Sequence, residues 1–247
     1  MMRRERLDKE IVRRGLASTR SQAAELVNTG RVMVSGVLAT KSARLVSPEE
    51  PIFVSGTRPK YVSRGGVKLE AALRSFRISP HRKICLDVGA STGGFTDCLL
   101  RHGASKVYAV DVGRAQLNER LRRDPRVVSL EATDARDLNA TMVPDAIEVV
   151  TVDVSFISAT KVVPSLVSFA APEAWFIVLI KPQFEAGRGK VQRGGVLRDP
   201  SVHREVLKRV IERLEAEGLC LVGLRCSPIP GASGNIEYLS AWKLDQK

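Results

Sequence analysis

The chain has 247 residues, 44% of them hydrophobic and 27% charged, enough for one domain with a full core and a smaller companion. Lys and Arg number 39 against 27 Asp and Glu, a net charge of +12 with a pI of about 10.0, the electrostatic footprint of a polyanion binder. The four cysteines (Cys85, Cys98, Cys220, Cys226) and three histidines have no metal-ligand spacing, which leaves a metal site without support. The opening Met-Met-Arg-Arg-Glu-Arg is too charged to begin a secretory signal. The most apolar run, Trp175 to Ile180, falls far short of the roughly 20 residues that span a bilayer. The expectation is a cytoplasmic chain without a membrane role, with Cys85 and Cys220 as small core residues.

Residues 1–60 hold twelve basic side chains against six acidic ones, half of the whole excess in a quarter of the length. Such asymmetry marks a separate unit with its own partner. Leu7, Ile11, Val12 and Leu16 recur at helical spacing, and Gly15 can end that helix. Ser18 is a plausible cap for a second amphipathic helix through Gln22, Ala23, Ala24, Leu26 and Val27, closed by Asn28 and Gly30. A strand and turn are predicted over 31–36 and another strand over 51–54. This order of elements resembles the S4 RNA-binding domain. The resemblance implies an α+β domain over 1–58 in which Arg4, Arg13, Arg14, Arg20, Arg31 and Lys41 meet RNA.

Pro59 and its polar neighbours predict a linker at 59–63, and a second domain at 64–247. Strand and helix then alternate: strand 84–88, helix from Phe95, strand 106–111, helix near 116–122, strands 127–130, 148–153 and 175–180, helix 200–217, and strands near 219–226 and 236–243. Repeated βα units imply an α/β fold whose sheet is mostly parallel and covered on both faces.

The segment Cys85-Leu-Asp-Val-Gly-Ala-Ser-Thr-Gly-Gly-Phe-Thr96 joins a buried strand to a helix through a glycine-rich turn. Ligands of doubly wound sheets bind at such turns. The spacing of Gly89, Gly93 and Gly94 fits neither the dinucleotide GxGxxG nor the P-loop. Asp111 ends the next strand and Asp134 follows the third, and carboxylates at successive strand ends suit a cofactor carrying positive charge. Together these residues resemble motif I of the class I S-adenosylmethionine (SAM) methyltransferases, which have a Rossmann-like fold, and in particular the FtsJ-like branch. The resemblance implies SAM bound by Asp87, Gly89, Ser91, Gly93, Gly94, Phe95, Asp111 and Asp134, with Asp111 on the ribose hydroxyls and Asp134 near the adenine amine.

The acceptor chemistry narrows by elimination. Methylation of exocyclic amines commonly shows Asp/Asn-Pro-Pro-Tyr after the fourth strand, whereas this chain has Asp153-Val-Ser-Phe156. Methylation at pyrimidine C5 needs a cysteine, commonly in Pro-Cys, and no Pro-Cys occurs. Lys68, Asp153, Lys181 and Glu237 stand in the order of the ribose 2′-O-methyltransferase tetrad. With Val62-Ser-Arg-Gly-Gly-Val-Lys-Leu, Lys181-Pro-Gln-Phe-Glu and Ser233-Gly-Asn-Ile-Glu-Tyr, they resemble the TlyA family, often labelled haemolysin A, along essentially the whole chain.

That resemblance implies transfer from SAM to cytidine 2′-hydroxyls of ribosomal RNA in ribosomal subunits, with no DNA, membrane or metal partner. Lys181 would favour the alkoxide by its charge and accept its proton, while Asp153 and Glu237 hold the lysines in attack geometry. Arg64 and the glycine-rich loop from Glu185 to Gly195, with Arg188, Lys190 and Arg193, would add RNA contacts. Two other readings compete: a membrane-active haemolysin, which needs an apolar span or strongly amphipathic helix, and a catalytically silent rRNA-binding assembly factor.

Overall fold

The computed structural model describes residues 4–55, 60–187, 195–231 and 234–245. The chain divides into two compact units, Met1–Val62 and Ser63–Lys247.

In the first unit, β1 (Glu5–Arg6) runs into α1 (Leu7–Arg13), followed by α2 (Arg20–Asn28), β2 (Val32–Val34), β3 (Val37–Leu38), β4 (Leu45–Val46) and β5 (Ile52–Val54). β2 lies between β3 and β5 in an antiparallel sheet, and β1 pairs with β4. Leu7, Ile11, Ala23, Leu26 and Val27 of the helices close a core with Val32, Val34 and Val46. The cap of α2 is Thr19 rather than Ser18: Thr19 Oγ1 accepts from Gln22 N at 3.1 Å, and Gln22 Oε1 accepts from Ser18 N at 2.7 Å.

The second unit opens with α3 (Gly65–Phe76), a helix not predicted above, although Leu69, Ala72, Leu73 and Phe76 carry its periodicity. Then come β6 (Ile84–Val88), α4 (Gly94–Arg101), β7 (Lys106–Val110), α5 (Glu119–Arg122), β8 (Val127–Leu130), β9 (Ile147–Val152), α6 (Val163–Leu166), β10 (Ala170–Ile180), α7 (Pro182–Glu185), α8 (Pro200–Glu215), β11 (Leu219–Cys226) and β12 (Tyr238–Leu244). The seven strands order as β11-β12-β10-β9-β6-β7-β8. β12 pairs antiparallel with both its neighbours, and the five strands from β10 to β8 are parallel.

Near-continuous apolar runs in β6, β7, β9 and β10 answer to burial on both faces. The edge strand β11 alternates instead, so Leu219 is buried while Cys220 is exposed. The expectation that Cys220 belongs to the core is therefore corrected: an edge strand gives one face to solvent. α8 starts at its Asp199 cap with Pro200 in the first turn, and buries His203, Val206, Val210 and Leu214 along one stripe. The parallel strands deliver residues 89, 111, 131, 153 and 181 to one edge of the sheet, where ligands of such folds bind. Among the described residues no helix is long and apolar enough to cross a membrane.

Candidate active site

The turn after β6 shapes the site. Gly89 has φ +82°, and a Cβ there would stand 2.5 Å from the backbone oxygen of Asp153, so only glycine lets the loops after β6 and β9 touch. At Gly94 a Cβ would meet Ser63 Oγ and the backbone of α3, so the start of α4 lies directly against the start of α3. That contact is what brings Lys68, one turn into α3, to the glycine-rich turn.

Two adjoining cavities result. The larger, about 330 Å³, has Asp111 and Asp134 on its wall, apolar surface from Val88, Val110, Ala135 and Val162, and Asp153, Ser155 and Phe156 at one side. Asp111 Oδ2 accepts from Ser91 N at 2.8 Å and Oδ1 from Gly113 N at 2.7 Å, which fixes the carboxylate and leaves each oxygen a lone pair. Asp134 caps a short 3-10 turn. Its carboxyl is held at about 2, chiefly by the hydrogen-bonded Arg136 guanidinium, so it is anionic throughout the physiological range. A rigid carboxylate, a second anionic wall and an apolar slot fit a cationic nucleoside cofactor, and SAM fits this donor set.

The smaller cavity, about 140 Å³, is walled by Lys68, Ser63, Phe95 and the Gly89–Gly94 turn, and meets the larger one at Gly89, Ser91 and Asp153. Around it stand two ion pairs. Lys68 Nζ donates to Glu237 Oε2, both side chains buried, and Gly231 provides the room for Glu237: a Cβ at 231 would lie 2.3 Å from Oε1. Lys181 Nζ lies 2.6 Å from Asp153 Oδ1 and donates to Ser155 Oγ at 2.8 Å. The four tetrad candidates thus form two lysine–carboxylate pairs, with Lys68 and Asp153 on one cavity wall.

The eight cofactor candidates divide. Gly89, Ser91, Asp111 and Asp134 line the larger cavity, and Gly94 and Phe95 line the smaller. Gly93 and Asp87 line neither. Asp87 is fully buried and faces β9, where it is in register with Thr151; it accepts from Thr151 Oγ1 at 2.9 Å and Thr96 Oγ1 at 2.6 Å. Burial pushes its carboxyl up to about 6 against those two hydroxyls.

Sequence reasoning missed Ser155 and the clamp that holds its loop. Glu185, at the far end of α7 from Lys181, accepts from Ser158 Oγ at 2.5 Å and Ala159 N at 2.8 Å, and burial raises its carboxyl. The signal was present in Lys181-Pro-Gln-Phe-Glu185, but nothing in the spacing names its partner.

Of the RNA-binding candidates, Arg4 and Lys41 are exposed. Arg13 pairs with Glu10 and Arg20 with Asp8, each with a largely solvent-facing guanidinium. Arg14 is turned inward, donating to Glu50 O at 2.8 Å and Pro48 O at 2.7 Å as well as to Glu10. Arg31 donates to Ser55 O and Arg64 to Pro230 O. Arg188, Lys190 and Arg193 lie outside the described residues.

Residues 61–244 match the FtsJ-like methyltransferase family, and residues 5–52 match the S4 domain. The chain is 47% identical to the 16S/23S rRNA (cytidine-2′-O)-methyltransferase TlyA of Mycobacterium tuberculosis, over 96% of this chain and 89% of that one. It is 48% identical to Hemolysin A of Brachyspira hyodysenteriae, over 95% and 98%. A structure described as a hemolysin from Streptococcus thermophilus superposes with a TM-score of 0.80 at 38% identity, covering all of this chain and 90% of that one. With the glycine turn, the carboxylate-walled cavity and the paired lysines already in place, these likenesses make the chain a member of the TlyA family of FtsJ-like, SAM-dependent methyltransferases, with an S4 domain ahead of the methyltransferase domain.

Proposed function

We propose that this chain methylates the 2′-hydroxyl of cytidine in ribosomal RNA, presented within a ribosomal subunit. The observation that carries this reading is Asp153, which lines both cavities where they meet and holds Lys181 in an ion pair at 2.6 Å. An acceptor oxygen there would be within reach of both.

When bound, SAM supplies an electrophilic methyl on a cationic sulfur. Asp111 would hold the ribose hydroxyls by its free lone pairs, and Ser91 and Gly89 would let the backbone approach. Asp87 would act from beneath: in β6, bonded to Thr96 of α4 and Thr151 of β9, it ties together the two ends of the glycine-rich turn that joins β6 to α4. Lys181 would receive the acceptor. Its Nζ donates to Ser155 Oγ and lies in ion-pair contact with Asp153, which leaves it a position for the acceptor hydroxyl. There the neutral amine takes the hydroxyl's proton, and the ammonium so formed stabilises the alkoxide by its charge. The Lys68–Glu237 pair lines the acceptor side and holds the ribose in line for displacement. The S4 domain, with Arg4, Arg13, Arg20 and Lys41, holds the surrounding RNA by phosphate contacts, and Arg31, Arg64, Arg188, Lys190 and Arg193 extend that contact.

The test is methyl transfer from radiolabelled SAM to unmethylated ribosomal subunits, followed by nucleoside mapping. The expected product is 2′-O-methylcytidine. A methyl found on a base would reject the ribose assignment, and no transfer to either subunit would reject the substrate.

A further inference from the structure

We propose that Ser155 is a positioning residue for the transfer, aiming the Lys181 amine at the acceptor oxygen. The inference rests on the role given to Lys181 above. A lysine has four rotatable side-chain bonds, and one carboxylate partner leaves its nitrogen free to swing on an arc about that contact. Asp153 Oδ1 at 2.6 Å is one anchor, and Ser155 Oγ at 2.8 Å is the second. The ion pair holds Nζ in place without directing it, and the hydrogen bond to Ser155 fixes the rotation of the amine and so the direction it presents to the acceptor. Ser155 also lines the cofactor cavity, so the lysine is aimed from the side where the methyl is delivered.

An exposed serine aims nothing unless its own loop is held, and this loop is held at three places. The Asp153 backbone sits against Gly89, as the 2.5 Å Cβ contact requires. Glu185 ties Ser158 and Ala159 to the end of α7, and the backbone oxygen of Glu185 accepts from Arg209 of α8 at 2.5 Å. One short helix therefore grips the loop twice, through Lys181 at its cap and Glu185 at its last residue. Phe156 reports the constraint: its φ is +65°, a conformation that bulky residues avoid unless the surroundings impose it. The hydroxyl of Ser155 is thus fixed by the fold before the acceptor arrives.

The experiment compares the full-length parent, Ser155→Ala, Ser155→Thr, Lys181→Ala and the Ser155→Ala/Lys181→Ala double variant. Single-turnover methyl transfer to unmethylated ribosomal subunits is measured alongside SAM affinity by calorimetry. Ser155→Ala is expected to slow transfer about tenfold, the size of one hydrogen bond to a charged group, with SAM affinity unchanged within about twofold. Ser155→Thr keeps the hydroxyl and is expected to restore the rate. On the Lys181→Ala background the serine change is expected to cost nothing further, because the group it aims is gone. A parental rate in Ser155→Ala, with Lys181→Ala slow, overturns this inference alone. An undiminished tenfold loss on the Lys181→Ala background overturns it as well, since Ser155 would then act without the lysine. A fast Lys181→Ala removes the role of Lys181 and this inference with it.

Discussion

Both units set basic side chains against enclosed carboxylates, yet the pairs of the S4 domain leave their cations in solvent while those of the site enclose both members. In the S4 domain Glu10 and Asp8 are sealed, 2% and 5% exposed, while Arg13 and Arg20 are 62% and 55% exposed. In the methyltransferase domain Lys68 and Lys181 are themselves enclosed, at 10% and 11%. An exposed guanidinium anchored from below keeps most of its donors for a ligand too large to be engulfed, which is the geometry of phosphate binding. An enclosed ammonium is stripped of most of its water and can act only on an atom delivered into its cavity. On the proposed function, the same residue classes serve a binding surface in one place and a reaction site in the other, and exposure of the cation separates them.

The largest expected effect breaks the enclosed pair. Lys181→Ala is expected to fold, bind SAM and bind rRNA as the parent does, yet transfer methyl at least about a hundredfold more slowly, the low end of general acid–base effects. Lys181→Arg keeps the charge but cannot lose a proton near neutral pH, so it is not expected to rescue the rate. Single-turnover rates of the three proteins decide. Rescue by arginine would leave charge stabilisation standing and dismiss Lys181 as a base.

This contrast in exposure was only partly legible in the sequence. The strands from Ile84 to Val88 and from Val127 to Leu130 have the predicted bounds, because continuous apolar runs between turn residues have few other fates. The acids at strand ends were visible for the same reason: the chain must turn there, and Asp111 and Asp134 fall on those turns. The sequence was silent where long-range contact decides. Nothing local to Asp87 reveals that it faces Thr151 in a neighbouring strand rather than the cavity. Arg13 and Arg14 are adjacent and chemically alike, yet only the fold sends Arg14 inward to the carbonyls of Pro48 and Glu50. The helix bearing Lys68 went unpredicted beside a linker reading, although its apolar spacing was there to count.

A smaller effect tests the exposed pairs. Arg13→Ala combined with Arg20→Ala leaves Glu10 with Arg14 and Asp8 with Arg6, so the buried acids stay paired and the domain keeps its fold. Affinity for rRNA is expected to fall about tenfold near physiological salt, and the slope of log K against log salt to shallow by about 2, one for each lost phosphate contact. SAM affinity is expected to be unchanged. A salt slope equal to the parent's would mean that these guanidinia do not touch phosphate.

The smallest effect separates buried acids that have a cation from one that does not. Arg6, hydrogen-bonded to Asp8, holds that carboxyl at about 2, helped by Arg20, and Arg13 holds Glu10 at about 2, helped by Arg14. Both folded values are depressed, so this stabilisation is complete above the ordinary carboxyl range near pH 4 and is lost as pH falls towards 2. Asp87 has hydroxyl partners instead, and burial raises it to about 6. For a raised carboxyl the sign reverses. The unfolded chain ionises near 4 while the fold prefers the neutral acid, so stability grows as pH falls through 6 and levels off near 4. Between about pH 7 and pH 5 this contributes about 1 kcal/mol to the methyltransferase domain, while Asp8 and Glu10 contribute no change. Amide hydrogen exchange at the two pH values, corrected for intrinsic rates, reads the domains separately. Protection is expected to rise in β6, β7 and β9 but not in α1 and α2, and Asp87→Asn is expected to remove most of the rise, Glu185, whose carboxyl burial also raises, carrying the rest. An undiminished rise in Asp87→Asn would place its origin elsewhere, and an equal rise in α1 and α2 would erase the distinction between buried acids paired with a cation and those bonded to hydroxyls.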